Sequence, residues 1–326
     1  MRKIAGSLAL VVLLIAWSTV GLGGCSSGQT SEKLPKKVVE AIHKQFPGAK
    51  ILNGEKEGDE YEVVIQTGGE KKEVTVSEEG KILEIEEAEE EGESSEAMEE
   101  EKEEREGKEA VGEEGEEERE EGEEAEEREE ENEREWTFES DAVGTVPHGW
   151  GVYLTGRGKP GVWKVLEDST APSGTHVLAQ TSSYGAGYHF NLAVAEDTDY
   201  KDLEIEVKFK PVKGREDRGG GPVWRYKDAN NYYICRANPL ESNYRVYKVV
   251  NGVRKMLESA TVKIPSGVWH SLRVVQRGNH IQCWYDGKKY LDVVDDTFTS
   301  SGKVGLWTKA DAVTYFDNLE VTDLSK

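Results

Sequence analysis

The sequence predicts a mainly β protein: a two-sheet antiparallel jelly-roll sandwich in the C-terminal part, a small N-terminal α+β unit, and a disordered acidic linker between them. Three observations carry this prediction. Short runs of alternating apolar and polar residues recur through residues 136–326 with almost no helical periodicity. Seven of the eight tryptophans lie in that part. Residues 86–135 hold 30 Glu and 6 Lys or Arg, so this segment alone contributes 6 − 30 = −24, the whole formal charge of the 326-residue chain. The remainder is neutral and shows no basic patch, which argues against nucleic acid as a partner.

The first 24 residues read as a signal peptide. Arg2 and Lys3 precede the apolar run IAGSLALVVLLIAWSTV. The run is nearly long enough for a spanning anchor, but the only cysteine before residue 235 stands just beyond it. That cysteine closes Leu22-Gly23-Gly24-Cys25, which resembles the lipobox of bacterial lipoproteins. The resemblance implies cleavage before Cys25, lipidation of its thiol, and an extracytoplasmic protein held at the membrane by a lipid anchor. Ser26 after the cysteine implies the outer membrane if the cell has two. Residues 25–32 form the lipidated polar leader.

Residues 33–86 predict the α+β unit. LPKKVVEAIHKQF places Val38, Val39, Ile42 and Phe46 on one helical face, with Pro35 at the first helical position and Pro47-Gly48 as the stop. Strand-like runs YEVVIQT, KKEVTV and KILEIE follow, joined by GGE and SEEG. These motifs resemble PepSY-like domains of secreted bacterial proteins, which implies a non-catalytic interaction or inhibitory module with a protein partner. Residues 87–135 predict the spacer: glycines interrupt a run of like charges that repel at i, i+4, and little apolar surface is present to offset ordering entropy. A flexible chain of that length spans about 40 Å, holding the two folded pieces apart.

In residues 136–326 the runs GVWKVLE, HVLAQTS, LEIEVKFKP, GPVWRY, NYYICRA, YRVYKVV, HSLRVVQRG, HIQCWYDG, KVGLWTK and TYFDNLEV read as roughly ten strands. VVNGVRK and YDGKK carry the Asn-Gly and Asp-Gly pairs that favour two-residue hairpins. Cys235 and Cys283 form either one disulfide or two buried free thiols. Alternation in Asn231–Asn238 sets Asn231, Tyr233, Cys235 and Ala237 on one face and Tyr232, Ile234, Arg236 and Asn238 on the other. Ile234 marks the second face as the buried one, so Arg236 either pairs with an acid such as Glu241 or lines a concave groove.

Sugar binding asks for aromatic faces beside planar polar groups, and WRYKDANNYYICRAN supplies both densely. The candidate ligand-binding residues are Arg225, Tyr226, Asn231, Tyr233, Arg236, Asn238, Trp307 and Lys309, with an oligosaccharide or polysaccharide as partner. No catalytic residue is assigned. ESDAVG has Gly144 where a laminarinase-type triad needs a third acid, and Glu204 and Glu206 share a face without a third member. The histidines lack metal-ligand spacing.

The segments GGPVWRYKDANNYYICRANPLESNYRVYKVVNGVRK, GVWHSLRVVQRGNHIQCWYDGKKYLDVVDDTF and GKVGLWTKADAVTYFDNLEV together resemble concanavalin-A-like, laminin-G-like jelly rolls of exported bacterial proteins, in particular 3-keto-disaccharide hydrolase-like domains. That resemblance implies carbohydrate binding by the sandwich, or as alternatives a glycoside hydrolase of this type or a protein-binding module. It also implies a structural calcium held by Asp317 in TYFDNLEV.

Overall fold

The computed structural model describes residues 34–57, 60–87, 132–183, 185 and 187–325. The signal segment, the lipidation candidate Cys25 and nearly all of the glutamate-rich spacer lie outside the described residues.

Helix α1 (Lys36–Gln45) follows Pro35, which takes the capping position itself, one place earlier than the sequence pattern places it; its carbonyl accepts from the Val38 and Val39 amides. The helix lies on a four-stranded meander, β1 (Lys50–Glu57), β2 (Glu60–Thr67), β3 (Glu70–Ser77) and β4 (Ile82–Glu87). Val38 and Ile42 meet Val63, Ile65, Val74 and Val76 in one small core. Strand β1 goes unseen in the sequence because Asn-Gly and its charged residues break its pattern. The turn into β4 depends on Gly80, at φ +82°, where a Cβ would stand 2.6 Å from the Lys37 carbonyl oxygen.

The sandwich contains β5 (Glu133–Trp136), β6 (Trp150–Gly156), β7 (Trp163–Glu167), β8 (His176–Gln180), β9 (His189–Tyr200), β10 (Leu203–Lys213), β11 (Gly221–Asp228), β12 (Asn231–Asn238), β13 (Asn243–Val250), β14 (Val253–Thr261), β15 (His270–Arg277), β16 (His280–Tyr285), β17 (Lys288–Val294), β18 (Gly302–Lys309) and β19 (Val313–Asp323). One sheet runs β17-β16-β15-β10-β19-β8-β7, with β5 pairing β19. Strand β5 therefore starts the sandwich at Glu133, inside the stretch that composition assigns to the spacer.

The other sheet runs β14-β13-β12-β11-β18-β9-β6 and continues past β14 into β4-β3-β2-β1, eleven strands in all. Its junction is parallel, with Glu84 opposite Arg254 and Ile85 opposite Lys255. The expectation of two pieces held apart is thus corrected: the small unit and the sandwich share a sheet. Acids on the first meet cations on the second, an attraction invisible to local pattern.

Between the two sheets lies the main core, in which Ile205, Phe209, Leu272 and Val274 face Trp224, Tyr233, Cys235 and Leu306. Strand β12 corrects the assignment of its faces. Tyr233, Cys235 and Ala237 fill the intersheet core, whereas Tyr232 and Ile234 belong to a second apolar cluster on the outer side of the eleven-stranded sheet. Both faces are buried, so Ile234 alone misidentifies the core. Cys235 and Cys283 sit in the intersheet core as free, fully buried thiols, and burial, followed by their mutual contact, pushes the Cys283 thiol up.

Candidate functional site

The outer side of the eleven-stranded sheet carries the densest combination of rings and charge in the described residues. Alternation along β12, β13 and β18 sends Arg236 and Asn238, Asn243, Arg245 and Tyr247, and Trp307 and Lys309 to this side. The register sets Arg236 opposite Arg245 and Asn238 opposite Asn243. Arg254 arrives from β14 and lies over three rings, with its guanidinium 4.3 Å from the Tyr247 centroid, 4.9 Å from Phe190 and 5.6 Å from Trp307. Such desolvated cation–π contacts stabilise by about 2 kcal/mol.

The cations are then paired. Arg236 donates from Nη1 to Asp217 at 3.0 Å, and from Nη2 to Glu241 at 2.5 Å and to the Asn243 oxygen at 3.1 Å. Asn238 donates to the same two acids, at 2.7 Å to Glu241 and 3.3 Å to Asp217. The pairing of Arg236 with Glu241 that the sequence offers as one option is therefore present, with Asp217 added. On the far side of Arg245, two acids come from the small unit. Glu86 accepts from Arg245 at 3.1 Å and from Arg254 at 2.9 Å. Glu84 accepts from Arg254 Nε and lies 3.8 Å from Lys309.

Environment separates these acids. Burial pushes the Glu86 carboxyl up, but Arg254, Arg245, Arg236 and Lys309 outweigh it and hold it at about 2. Its strand neighbour Glu84 is more deeply buried, and desolvation leaves it raised despite Arg254. Asp217 is likewise raised by burial, against Arg236. Desolvation also acts on Glu241, but Arg236, Asn243, Lys309 and Arg245 overcome it and hold that carboxyl well below the usual range.

Of the sequence candidates, Arg236, Asn238, Trp307 and Lys309 converge here, and Tyr226 lies in the same outer cluster, stacked on Tyr232 at 5.9 Å. Three stand elsewhere. Tyr233 stacks on Trp224 inside the intersheet core and donates to Asp295 at 2.6 Å. Asn231 closes a turn with Asp228 and the Asn251 amide. Arg225 has φ +44° at a bulge in β11, which aims its guanidinium at the carbonyls of Lys201, Gly278 and Phe298 and at Asp202. Its role in the fold is to tie those loops together.

Sequence reasoning passed over Asp217, Arg245, Tyr247, Arg254, Glu84 and Glu86. Alternation in NYRVYKV would have found Arg245 and Tyr247. No local signal points to Arg254 or to the two glutamates, which come together only through the parallel junction.

The acids that the sequence weighs as hydrolase machinery are otherwise engaged. Glu139 accepts from the Thr175 and His176 amides, Glu204 pairs with Arg273, and Glu206 with Lys208 and Ser271. Asp317 is fully buried, and its two oxygens accept from the Ser173 and Asn318 amides at 3.0 and 2.8 Å. Calcium demands six or more oxygens. Asp317 faces N–H donors instead, and no group of three His, Cys, Asp or Glu among the described residues is placed to hold a metal ion. The calcium expectation therefore does not fit this side chain's surroundings.

Comparison with solved structures finds several similar chains. The carbohydrate-binding module CBM66 from Bacillus subtilis is 19% identical, the match covering 54% of this chain and 96% of the module at a TM-score of 0.43. Domain 4 of AbnA, an extracellular GH43 arabinanase from Geobacillus stearothermophilus in complex with arabinotriose, is 12% identical over 58% of this chain and 90% of the domain, at 0.40. A mutant of the GH43 protein BlXynB from Bacillus licheniformis is 17% identical over 60% of this chain and 39% of its own length, at 0.41. No curated protein matches the chain. Residues 144–322, 179 of the 326, match the 3-keto-alpha-glucoside-1,2-lyase-like domain. The chain belongs to the family of 3-keto-alpha-glucoside-1,2-lyase-like domains.

Proposed function

We propose that the outer face of the eleven-stranded sheet binds carbohydrate. The observation that carries this reading is Arg254 set among Phe190, Tyr247 and Trp307, beside the planar polar row of Arg236, Asn238 and Asn243. Ring faces suit the C–H side of a pyranose, and guanidinium and amide groups suit pairs of hydroxyls. Membership of a sugar-processing family agrees with it. The test is titration of the full chain against a panel of oligosaccharides, with products followed in parallel. Binding without product release supports a binding module, and Lys309→Ala with Asn238→Ala then weakens it by about tenfold or more, the worth of one or two hydrogen bonds. A chain that binds no glycan contradicts the reading.

A second reading, glycoside cleavage, is favoured by one observation. Asp217 and Glu241 both bond Arg236, and their surroundings push their protonation in opposite directions, the split that acid–base chemistry uses. Product release abolished by Asp217→Asn with binding retained would select it. Lipid anchoring through Cys25 at the extracytoplasmic face belongs to the same proposal and rests on the sequence pattern. So does a protein partner for residues 33–86, which rests on the PepSY-like resemblance; loss of that partner on substituting the helix face would test it.

A further inference from the structure

Several acids of the small unit face the sandwich, Glu73 among them, near Lys309 and Arg245. Glu60 accepts from the Tyr188 amide, Glu79 pairs with Arg157, and Glu84 and Glu86 enter among the cations of the outer face. Main-chain pairing contributes little to this docking, since β4 and β14 are in register at only two residue pairs. Side chains specify it: Leu83 joins the outer aromatic cluster, and the two glutamates lie between Arg245, Arg254 and Lys309.

Without β4, the described residues of the sandwich face set Arg236, Arg245, Arg254 and Lys309 against Asp217 and Glu241, four positive charges to two negative. An excess of two cations on a largely buried face is unfavourable and calls for a carboxylate or an equivalent anion. Glu84 and Glu86 balance that charge, yet they leave polar groups unmet. Tyr188 Oη and Arg254 Nη1 are buried in the site without a hydrogen-bond partner. Charge is satisfied and hydrogen bonding is not, as expected of an occupant that imitates only part of the ligand.

We infer that β4 is an internal occupant of a binding site for a carboxylated sugar, a uronate-containing oligosaccharide, which must displace Glu84 and Glu86 to enter. This rests on the reading that the face binds carbohydrate, and it names the class. A uronate carries hydroxyls beside its carboxylate, able to reach Tyr188 Oη and Arg254 Nη1, and a ring face to set against Trp307. An acidic peptide added at the edge of β14 would repeat the contacts of β4 and leave the same groups unmet.

The test is calorimetric titration of the full chain with trigalacturonic acid, with its methyl ester, and with a peptide of residues 82–87. A resident occupant lowers apparent affinity by the fraction of time the site stands open, so the double variant Glu84→Gln, Glu86→Gln is expected to bind trigalacturonate about tenfold more tightly than the unsubstituted chain. In that variant the ester binds about tenfold more weakly than the acid, the loss of a charge-assisted pair. Lys309→Gln, at the partly exposed rim, serves as a second variant that leaves the Arg254–Glu84 and Arg245–Glu86 pairs in place, and it weakens the acid but not the ester. Equal affinity for acid and ester, or no response to either variant, overturns the inference while leaving carbohydrate binding in place. Binding of the peptide but not of trigalacturonate also overturns it, in favour of a protein ligand. Failure of every glycan in the panel overturns the carbohydrate reading itself.

Discussion

Arg254 and Glu84 stand 170 positions apart in the chain and meet side by side across a parallel strand pair, the guanidinium Nε donating to the carboxylate. Both are buried, and each has one further partner of opposite charge, Glu86 for Arg254 and Lys309 for Glu84. The contact fixes where the small unit lies on the sandwich and what fills the outer face of its larger sheet.

Coupling between the two should therefore be measurable. Arg254→Met leaves Glu84 buried with only Lys309 near it at 3.8 Å, and Glu84→Leu leaves Arg254 with Glu86 alone; each costs about 3–5 kcal/mol of stability. The double substitution should cost less than the sum by about 1–3 kcal/mol. Urea unfolding of the four chains, followed by tryptophan fluorescence, gives the coupling; strict additivity would show that the pair contributes nothing.

Arg225 illustrates a different outcome of the same chemistry. Three carbonyls and Asp202 surround its guanidinium. Arg225→Gln leaves several buried acceptors unpaired and should cost about 2–4 kcal/mol, while glycan affinity of the folded fraction stays unchanged. A loss of affinity without loss of stability would move Arg225 into the binding face.

Much of the fold was legible from local pattern. Asn251-Gly252 and Asp286-Gly287 adopt the left-handed conformations, φ 51°, 73° and 45°, 77°, that their dipeptides foretold. Strand β14, VRKMLESAT, was not, because it lies at the sheet junction and mixes charges with apolar residues on both faces. The site was half legible. Arg236 and Glu241 are five residues apart, within reach of sequence reasoning, whereas Tyr233 was misplaced because ring-rich alternation looks alike on a core face and an outer face. The glutamates of β4 were hidden by their own neighbourhood, where a run of Glu reads as solvated charge.

Asp317 provides a pH signature. An unfolded aspartate titrates near 3.9; in the fold, burial pushes Asp317 up to about 6, against its two amide donors and with Glu139 and Glu135 adding to the rise. Between those values the folded chain holds a proton that the unfolded chain has released, so this group makes the protein more stable as pH falls from about 7 towards about 4, by about 1–3 kcal/mol. The difference in urea midpoint between the unsubstituted chain and Asp317→Asn should shrink over that range. A difference independent of pH would contradict the assignment.

Cys235 and Cys283 should resist thiol reagents in the folded protein, since both are fully buried and burial pushes the Cys283 thiol up. Peptide mapping after labelling should find both modified only once the chain is unfolded in denaturant. Modification of either under native conditions would show an opening of the intersheet core.

Whether β4 holds the ligand face is tested most directly by hydrogen exchange at Glu84–Glu86, with and without a bound uronate oligosaccharide. Saturating ligand should strip protection from these amides while leaving β12 and β13 protected. If the ligand binds and β4 remains as protected as before, the site lies elsewhere and the strand is only part of the scaffold.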